Sequence, residues 1–189
     1  QLLTDFIKVR ELPLWDPYLH GGQPYLADIS NSVFYPLNLL FVFLPLLDAF
    51  NLNIVLHLIL CPVFTYLFSR VIGLQPISSL IVGVAYGFCG YALSLANLLA
   101  GFLAMPYLPL SFLFWHLYLL EGNRKWFIMS VIVGSVRVFA GAPEINIISL
   151  LSLLGWTLFY PYPHTSMFRR FFLWSLLGMF IVGIALVQL

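Results

Sequence analysis

The chain has 189 residues, of which 62% are hydrophobic, 17% are aromatic and only 8% are charged. In soluble domains about a quarter of the residues are charged, because the surface needs polar cover. This composition excludes a cytosolic enzyme, a nucleic-acid-binding protein and a disordered linker. It predicts an integral membrane protein with several helical spans, and the net charge of +1 indicates no particular partner.

The polar start of the chain, residues 1–32, is predicted to lie outside the membrane. It holds four of the seven acidic residues and three prolines. Thr4 is placed to cap a short helix over residues 5–11. Beyond this helix, the spacing of Pro and Gly predicts turns rather than regular structure.

The next segment, residues 33–50, is apolar but interrupted by Pro36 and Pro45. The eight residues between these prolines are too few for a spanning helix, which needs about 20 residues. The segment therefore predicts a helix that lies at the membrane interface, with a kinked spanning helix as the alternative. Residues 1–51 together are predicted to form one loop with short interfacial helices.

Long apolar segments fill the rest of the chain, residues 52–189, and predict an all-α transmembrane bundle. The final segment ends without a cap or a flanking charge, and the chain has no initiator Met. We therefore expect a fragment of a longer polytopic protein. The predicted spans are about 52–72, 76–97, 99–120, 126–141, 144–160 and 171–189.

Proline and glycine predict two local features of this bundle. Pro106 and Pro109 should bend the third span, because each removes a backbone donor. The small residues Gly83, Gly87 and Gly90 should allow the second span to pack closely on a neighbour.

The basic residues predict the orientation. If each segment crosses once, three loops on one side carry five of the eight Lys and Arg residues and a single acid, Glu121. Lys and Arg accumulate in short cytoplasmic loops. Residues 1–51 are therefore predicted to be extracytoplasmic. The five basic residues are Arg70, Arg124, Lys125, Arg169 and Arg170.

The loop combines aromatic rings with carboxylates, as sugar-binding sites do. A carboxylate there could act as a general base if it is held close to the proton that it takes. The alternatives are interfacial anchoring for the aromatic residues and turn or cap roles for the acids. The candidates are Asp16 and Asp28 for catalysis and Trp15, Tyr18, His20 and Gln23 for substrate binding.

A second candidate site lies at the turn between the fourth and fifth spans. Arg137 falls inside an apolar segment, where a charged side chain is costly and usually faces a polar cavity or a partner. It could pair with Glu144, contact a phosphate or extend to the interface. Glu144 could also act only as a favourable charge at a helix start. The histidines are too scattered to predict a metal site.

Several motifs resemble those of the YfhO family of bacterial membrane proteins, in the same order over about residues 10–150. Family members carry LPLWNP-x-x-x-x-G-x-P followed by FYP-x-NLLF, and this chain has LPLWDPYLHGGQPYLADISNSVFYPLNLLF. The segment NLNIVLHLILCPVFTYLFSRVIGLQP is similar to the family's second long helix and its loop. VAYGFCGYALSLANL is similar to the AY-x-x-SG segment, and FAGAPEIN to the AGHPQ turn.

This resemblance implies a GT-C type fold and a multi-pass protein of the bacterial plasma membrane. Such proteins are glycosyltransferases that take a sugar from a polyprenyl-phosphate carrier at the outer face. The implied partners are membrane lipid, the lipid-linked sugar and a cell-envelope polymer such as a teichoic acid, with no nucleic acid. Their first outer loop carries the catalytic acid.

The chain departs from the family pattern at several sites. Asp16 and Asp28 stand where the family commonly has Asn, and the family's acid after the first helix would lie upstream of Gln1. Asp5 or Asp16 is then the remaining assignment for the catalytic acid. The leaving phosphate would need positive charge from Arg137, from Lys8 or Arg10, or from a divalent ion.

A non-enzymatic scaffold or a transporter is the competing class. A transporter should show polar residues deep in several spans and broken helices at corresponding places. The predicted spans are nearly free of charge at their centres, which counts against ion-coupled transport.

Overall fold

A computed structural model describes residues 14–16, 21–26, 28–95, 97–162 and 166–186. The described part of the chain is all-α apart from one small hairpin. The predicted helix over 5–11 lies outside these residues. The helices are α1 (Leu40–Phe43), α2 (Leu46–Val71), α3 (Pro76–Gly87), α4 (Gly90–Leu95), α5 (Leu99–Ala104), α6 (Tyr107–Glu121), α7 (Arg124–Phe139), α8 (Pro143–Phe159) and α9 (Met167–Ala185).

The N-terminal loop contains more regular structure than its turn residues predict. Strands β1 (Trp15–Asp16) and β2 (Gln23–Pro24) pair antiparallel, with Asp16 opposite Gln23. Gly21 and Gly22 have positive φ angles of 78° and 112°, which lets the chain reverse just before β2. Two 3₁₀ turns follow, Ile29–Asn31 and Pro36–Leu39, and the second leads into α1.

The bundle begins earlier than its apolar run alone predicts. Helix α2 starts at Leu46, six residues before the predicted start of the first span at residue 52. Pro45 ends the loop segment and also lies directly before α2. Proline is well suited to the start of a helix, because a backbone N–H is not needed for helix hydrogen bonds there. The residues from 46 onward therefore extend the first long helix.

The long helices form a bundle in which α2 packs against α3 and α6, α7 packs against α6, and α9 packs against α7 and α8. Within the part of the chain that the structure describes, four helical stretches are long and apolar enough to cross a membrane: Leu46–Val71, Pro76–Leu95, Leu99–Glu121 and Met167–Ala185. The apolar α8 is shorter. The outer faces of the bundle expose large apolar side chains, such as Ile77, Phe159 and Phe168.

Proline and glycine act largely as predicted. The third span breaks at Pro106, between α5 and α6. A Cβ on Gly83 would lie 2.6 Å from the carbonyl oxygen of Pro62, and a Cβ on Gly87 would lie 2.7 Å from its ring. These two glycines therefore permit the close packing of α3 on α2, whereas Gly90 faces open space.

The bundle has two distinct ends. At the loop end, the hydroxyl of Ser32 donates to the carbonyl of Ala140 at 2.8 Å, which ties the N-terminal loop to the turn between α7 and α8. At the opposite end, here called the basic end, the Phe68 and Trp156 rings pack 5.5 Å apart. This end carries Arg70, Arg124, Lys125, Arg169 and Arg170.

Candidate functional site

A cavity of about 180 Å³ lies between the N-terminal loop and the bundle. A water molecule occupies about 30 Å³ of liquid, so this loop cavity has room for a small polar ligand. Its loop wall is polar and its floor is apolar. The lining residues are Tyr25, Ser30, Asn31, Ser32, Asn38, Phe41, Leu46, Leu99, Ala100 and Leu103.

Hydrogen bonds to backbone carbonyls build the loop wall of the cavity. The Asn31 side chain donates to the carbonyl of Tyr25 at 2.8 Å, and the Asn38 side chain donates to the carbonyl of Ser32 at 2.7 Å. Ser32 itself has a left-handed backbone with φ of 51°. The polar side chains of this segment therefore hold the backbone of the wall in position and also form part of the cavity surface.

The loop also passes very close to Gly141 in the turn after α7. A Cβ at this position would lie 2.6 Å from the carbonyl oxygen of Ile29 and 2.7 Å from the hydroxyl of Ser32. The φ angle of Gly141 is 90°, a value that side chains rarely allow. Glycine is thus required at this contact both for space and for backbone conformation.

Asp16 and Asp28, two of the three candidate catalytic carboxylates, both lie near the ring of Tyr25. Burial raises the pKa of the Tyr25 phenol, and the nearby carboxylates of Asp16 and Asp28 raise it further. Asp16 is buried. Asp28 accepts the backbone N–H of Ser30 at 3.0 Å and so caps the first 3₁₀ turn, which is the alternative role expected for a loop acid.

The remaining loop candidates divide into two groups. Trp15 is about half exposed, and its ring lies against Gly22, where a Cβ would come within 2.6 Å of it. Gln23 is partly buried in the hairpin. Asp5, Tyr18 and His20 lie outside the described residues.

Arg137 lies inside the bundle, one helical turn below the contact between the loop and Ala140. Its side chain is fully buried. Its Nε donates to the side-chain oxygen of Asn146 at 2.9 Å, and one Nη donates to the hydroxyl of Ser111 at 3.3 Å. Arg137 therefore does not extend to the interface, which was one of the three expectations for it.

The partners of Arg137 are neutral. Among the residues that the structure describes, no carboxylate lies within ion-pairing distance of its guanidinium. Glu144 is exposed in the first turn of α8, where it complements the helix dipole. The partner of Arg137 on α8 is therefore Asn146, and not Glu144 as the sequence had suggested.

This arrangement leaves a buried positive charge with spare donors. A guanidinium carries five N–H groups, and the hydrogen bonds to Asn146 and Ser111 use two of them. Tyr86 of α3 lies near Arg137, and its hydroxyl donates to the carbonyl of Met105 at 3.1 Å. Tyr86 and the neighbours of Asn146 on α8 line a second cavity of about 210 Å³ between α4, α6 and α8. The lining of this cavity is mostly apolar and does not include Arg137. The buried charge of Arg137 without a counter-charge is nevertheless costly in the free protein.

A buried chain of three polar rings was not predicted. The Tyr35 hydroxyl contacts Nε2 of His57 at 2.5 Å and the Tyr107 hydroxyl at 2.8 Å. His57 is buried, as expected for a packed histidine. The sequence signal that could have found this chain is a stripe of small and polar residues at every fourth position of α2: Ala49, Asn53, His57, Cys61, Thr65 and Ser69.

Asn53, one turn before His57, is fully buried, and neither atom of its carboxamide has a hydrogen-bond partner in the described part of the chain. An unsatisfied buried polar group costs about 1–3 kcal/mol. We therefore expect Asn53→Leu, a change of similar volume, to raise the unfolding temperature or leave it unchanged. Thermal unfolding in detergent checks this, with Asn146→Leu, which removes a bonded amide, as the destabilising control. A marked loss of stability in Asn53→Leu would contradict it.

The residues that the structure describes include no group of three or more His, Cys, Asp or Glu side chains placed to hold a metal ion. Comparison with protein families, with curated proteins and with solved structures finds no match to this chain.

Proposed function

We propose that the chain belongs to an integral membrane glycosyltransferase of the GT-C type. It transfers a sugar from a polyprenyl-phosphate carrier to a cell-envelope acceptor at the outer face of the bacterial plasma membrane. The observation that carries this proposal is the fully buried guanidinium of Arg137 with only neutral partners. The resemblance to the YfhO family supports the same assignment.

The apolar exterior of the bundle supports the membrane part of the proposal. Large hydrophobic side chains are exposed along α2, α3 and α9, where a soluble protein would carry polar groups. The accumulation of Lys and Arg at the basic end supports a cytoplasmic position for that end. The loop cavity and Arg137 then lie toward the outer leaflet.

The position of Arg137 suits a lipid phosphate. Its Cα lies three residues before Ala140, which is about 4.5 Å along the helix axis from the turn that the loop contacts. A phosphate just below the loop would receive charge-assisted hydrogen bonds from the planar guanidinium. The same charge would stabilise the phosphate as it leaves the sugar.

The loop carboxylates supply the second part of the chemistry. We assign the proton-accepting role to Asp16, which is buried and lies near Tyr25 of the cavity lining. The acceptor hydroxyl would give its proton to Asp16 as its oxygen bonds to the anomeric carbon of the sugar. The bond from that carbon to the phosphate oxygen breaks, and the electron pair leaves with the lipid phosphate.

A transfer assay with the full-length protein in proteoliposomes tests this assignment. We expect Asp16→Asn to lower the rate about 100-fold or more, since general base catalysis typically contributes 10²–10⁴. The matched control is Asp48→Asn, which removes the same charge from an exposed position in the first turn of α2. Unchanged transfer in Asp16→Asn would remove the assignment of the base.

The assay is paired with labelling by a photoreactive polyprenyl-phosphate sugar. We expect labelling of the wild-type protein and of both variants, because the carrier binds through its phosphate and not through Asp16. A protein that neither transfers sugar nor takes the label would instead be a scaffold or a transporter.

A further inference from the structure

The chain of Tyr107, Tyr35 and His57 joins three separate parts of the molecule. Tyr35 belongs to the N-terminal loop, His57 to α2 and Tyr107 to α6. Tyr35 and His57 are essentially inaccessible to solvent. Tyr35 also packs with Leu103 and Ala104 of α5 and with the turn after α7 at Ala140 and Ala142. It is therefore a point at which the loop enters the bundle.

The direction of the hydrogen bonds in this chain follows from the backbone of α2. Nδ1 of His57 lies 2.7 Å from the carbonyl oxygen of Asn53. Because a carbonyl oxygen can only accept, Nδ1 carries the proton. An imidazole buried in an apolar bundle is held neutral, since a charge there is costly. Nε2 is then an acceptor, so Tyr35 donates to His57 and Tyr107 donates to Tyr35.

Backbone hydrogen bonds on both sides of Tyr35 hold the loop in place around this residue. The backbone N–H of Tyr35 donates to the carbonyl of Ser32 at 3.0 Å, and the N–H of Asn38 donates to the carbonyl of Tyr35 at 3.0 Å. Ser32 and Asn38 both line the loop cavity. A change in the position of the Tyr35 ring would therefore move the wall of that cavity.

We infer that His57, in its Nδ1–H tautomer, is a positioning residue that fixes the wall of the loop cavity through Tyr35. The inference relies on the proposed function only in taking the cavity for the acceptor site. The tests use backbone exchange and nitrogen chemical shifts, which do not depend on transfer activity. Loss of the proposed function alone would leave the inference standing.

Hydrogen–deuterium exchange of the loop amides in the full protein is the first test. Tyr35→Phe keeps the ring and removes only the hydroxyl, and His57→Leu removes the acceptor. We expect either change to speed exchange over residues 32–38 by about tenfold, the factor typical of one lost buried hydrogen bond. His57→Gln, whose side-chain oxygen can accept from Tyr35, should restore most of the protection.

The basic end supplies a matched control. His116 is also buried, and its Nδ1 lies 2.7 Å from the hydroxyl of Tyr162. His116→Leu thus breaks a histidine–tyrosine pair of the same kind far from the loop, and exchange over 32–38 should not change. Equal acceleration by His116→Leu, or no acceleration by Tyr35→Phe, would overturn the inference.

The tautomer gives a readout that a purely structural packing role would not move. Nitrogen-15 spectra of the protein with labelled histidine should show His57 protonated at Nδ1 and unprotonated at Nε2, assigned by its loss in His57→Gln. A His57 signal protonated at Nε2 would overturn the inference even if His57→Leu fails to fold.

Discussion

Arg137→Met should remove the binding of polyprenyl phosphate while leaving the protein at least as stable as the wild type. Truncating one partner of a buried charge pair costs about 2–5 kcal/mol, which is about 30-fold or more in affinity. The free protein loses nothing comparable, because the guanidinium has only neutral partners. A buried charge replaced by an apolar side chain is often neutral or stabilising.

The measurements are carrier binding in nanodiscs and thermal unfolding of the same samples. Arg137→Lys should bind at an intermediate level, because it keeps the charge and loses the planar fork of donors. Arg124→Met removes an exposed arginine at the basic end and serves as the control. Wild-type affinity in Arg137→Met would contradict the anion site, and a large loss of stability would show that a counter-charge is already present.

The second large effect is expected at the contact between the loop and the turn after α7. Gly141→Ala should lower the free energy of unfolding by about 2–5 kcal/mol, from a strained positive φ and from overpacking. The new Cβ would lie 2.6 Å from the backbone of Ile29, which can yield only if the loop moves. Thermal unfolding measures the total loss, and hydrogen–deuterium exchange of residues 28–38 locates it.

Gly122→Ala separates the two causes. Gly122 also has a positive φ, of 68°, but a Cβ there would meet no atom within 4 Å. Gly122→Ala should therefore lower the free energy of unfolding by only about 1–2 kcal/mol, which is the part that comes from the strained backbone conformation. Equal losses of unfolding free energy in Gly122→Ala and Gly141→Ala would show that the loop does not pack tightly against position 141.

The sequence predicted the helices well because apolar runs, prolines and glycines act locally. Pro106 interrupts the third span, where a bend was predicted, and Gly83 packs on α2. The start of α2 was misplaced because a proline that ends one segment can also open the next helix. The β1–β2 pairing was not predicted, since two-residue strands have no periodicity to detect.

The candidate site was predicted only in part, because its contacts join distant residues. Because a charged side chain in an apolar segment is energetically costly, the sequence identified Arg137 as a candidate. The same reasoning did not identify the partner of Arg137. Positions 144 and 146 lie about 200° apart on a helix, so a difference of two residues decides whether Glu144 or Asn146 faces inward. The pairing of Tyr35 with His57 spans 22 residues and depends on how the loop packs.

The proposed chemistry depends on the orientation of the loop relative to the basic end, and thiol labelling can determine this orientation. In a background of Cys61→Ala and Cys89→Ala, single cysteines replace the exposed residues Ser30 and Lys125. A membrane-impermeant maleimide added to intact cells should label position 30 and leave position 125 unlabelled until the membrane is opened. Labelling of position 125 alone, with position 30 protected, would contradict the topology and the chemistry placed at the loop.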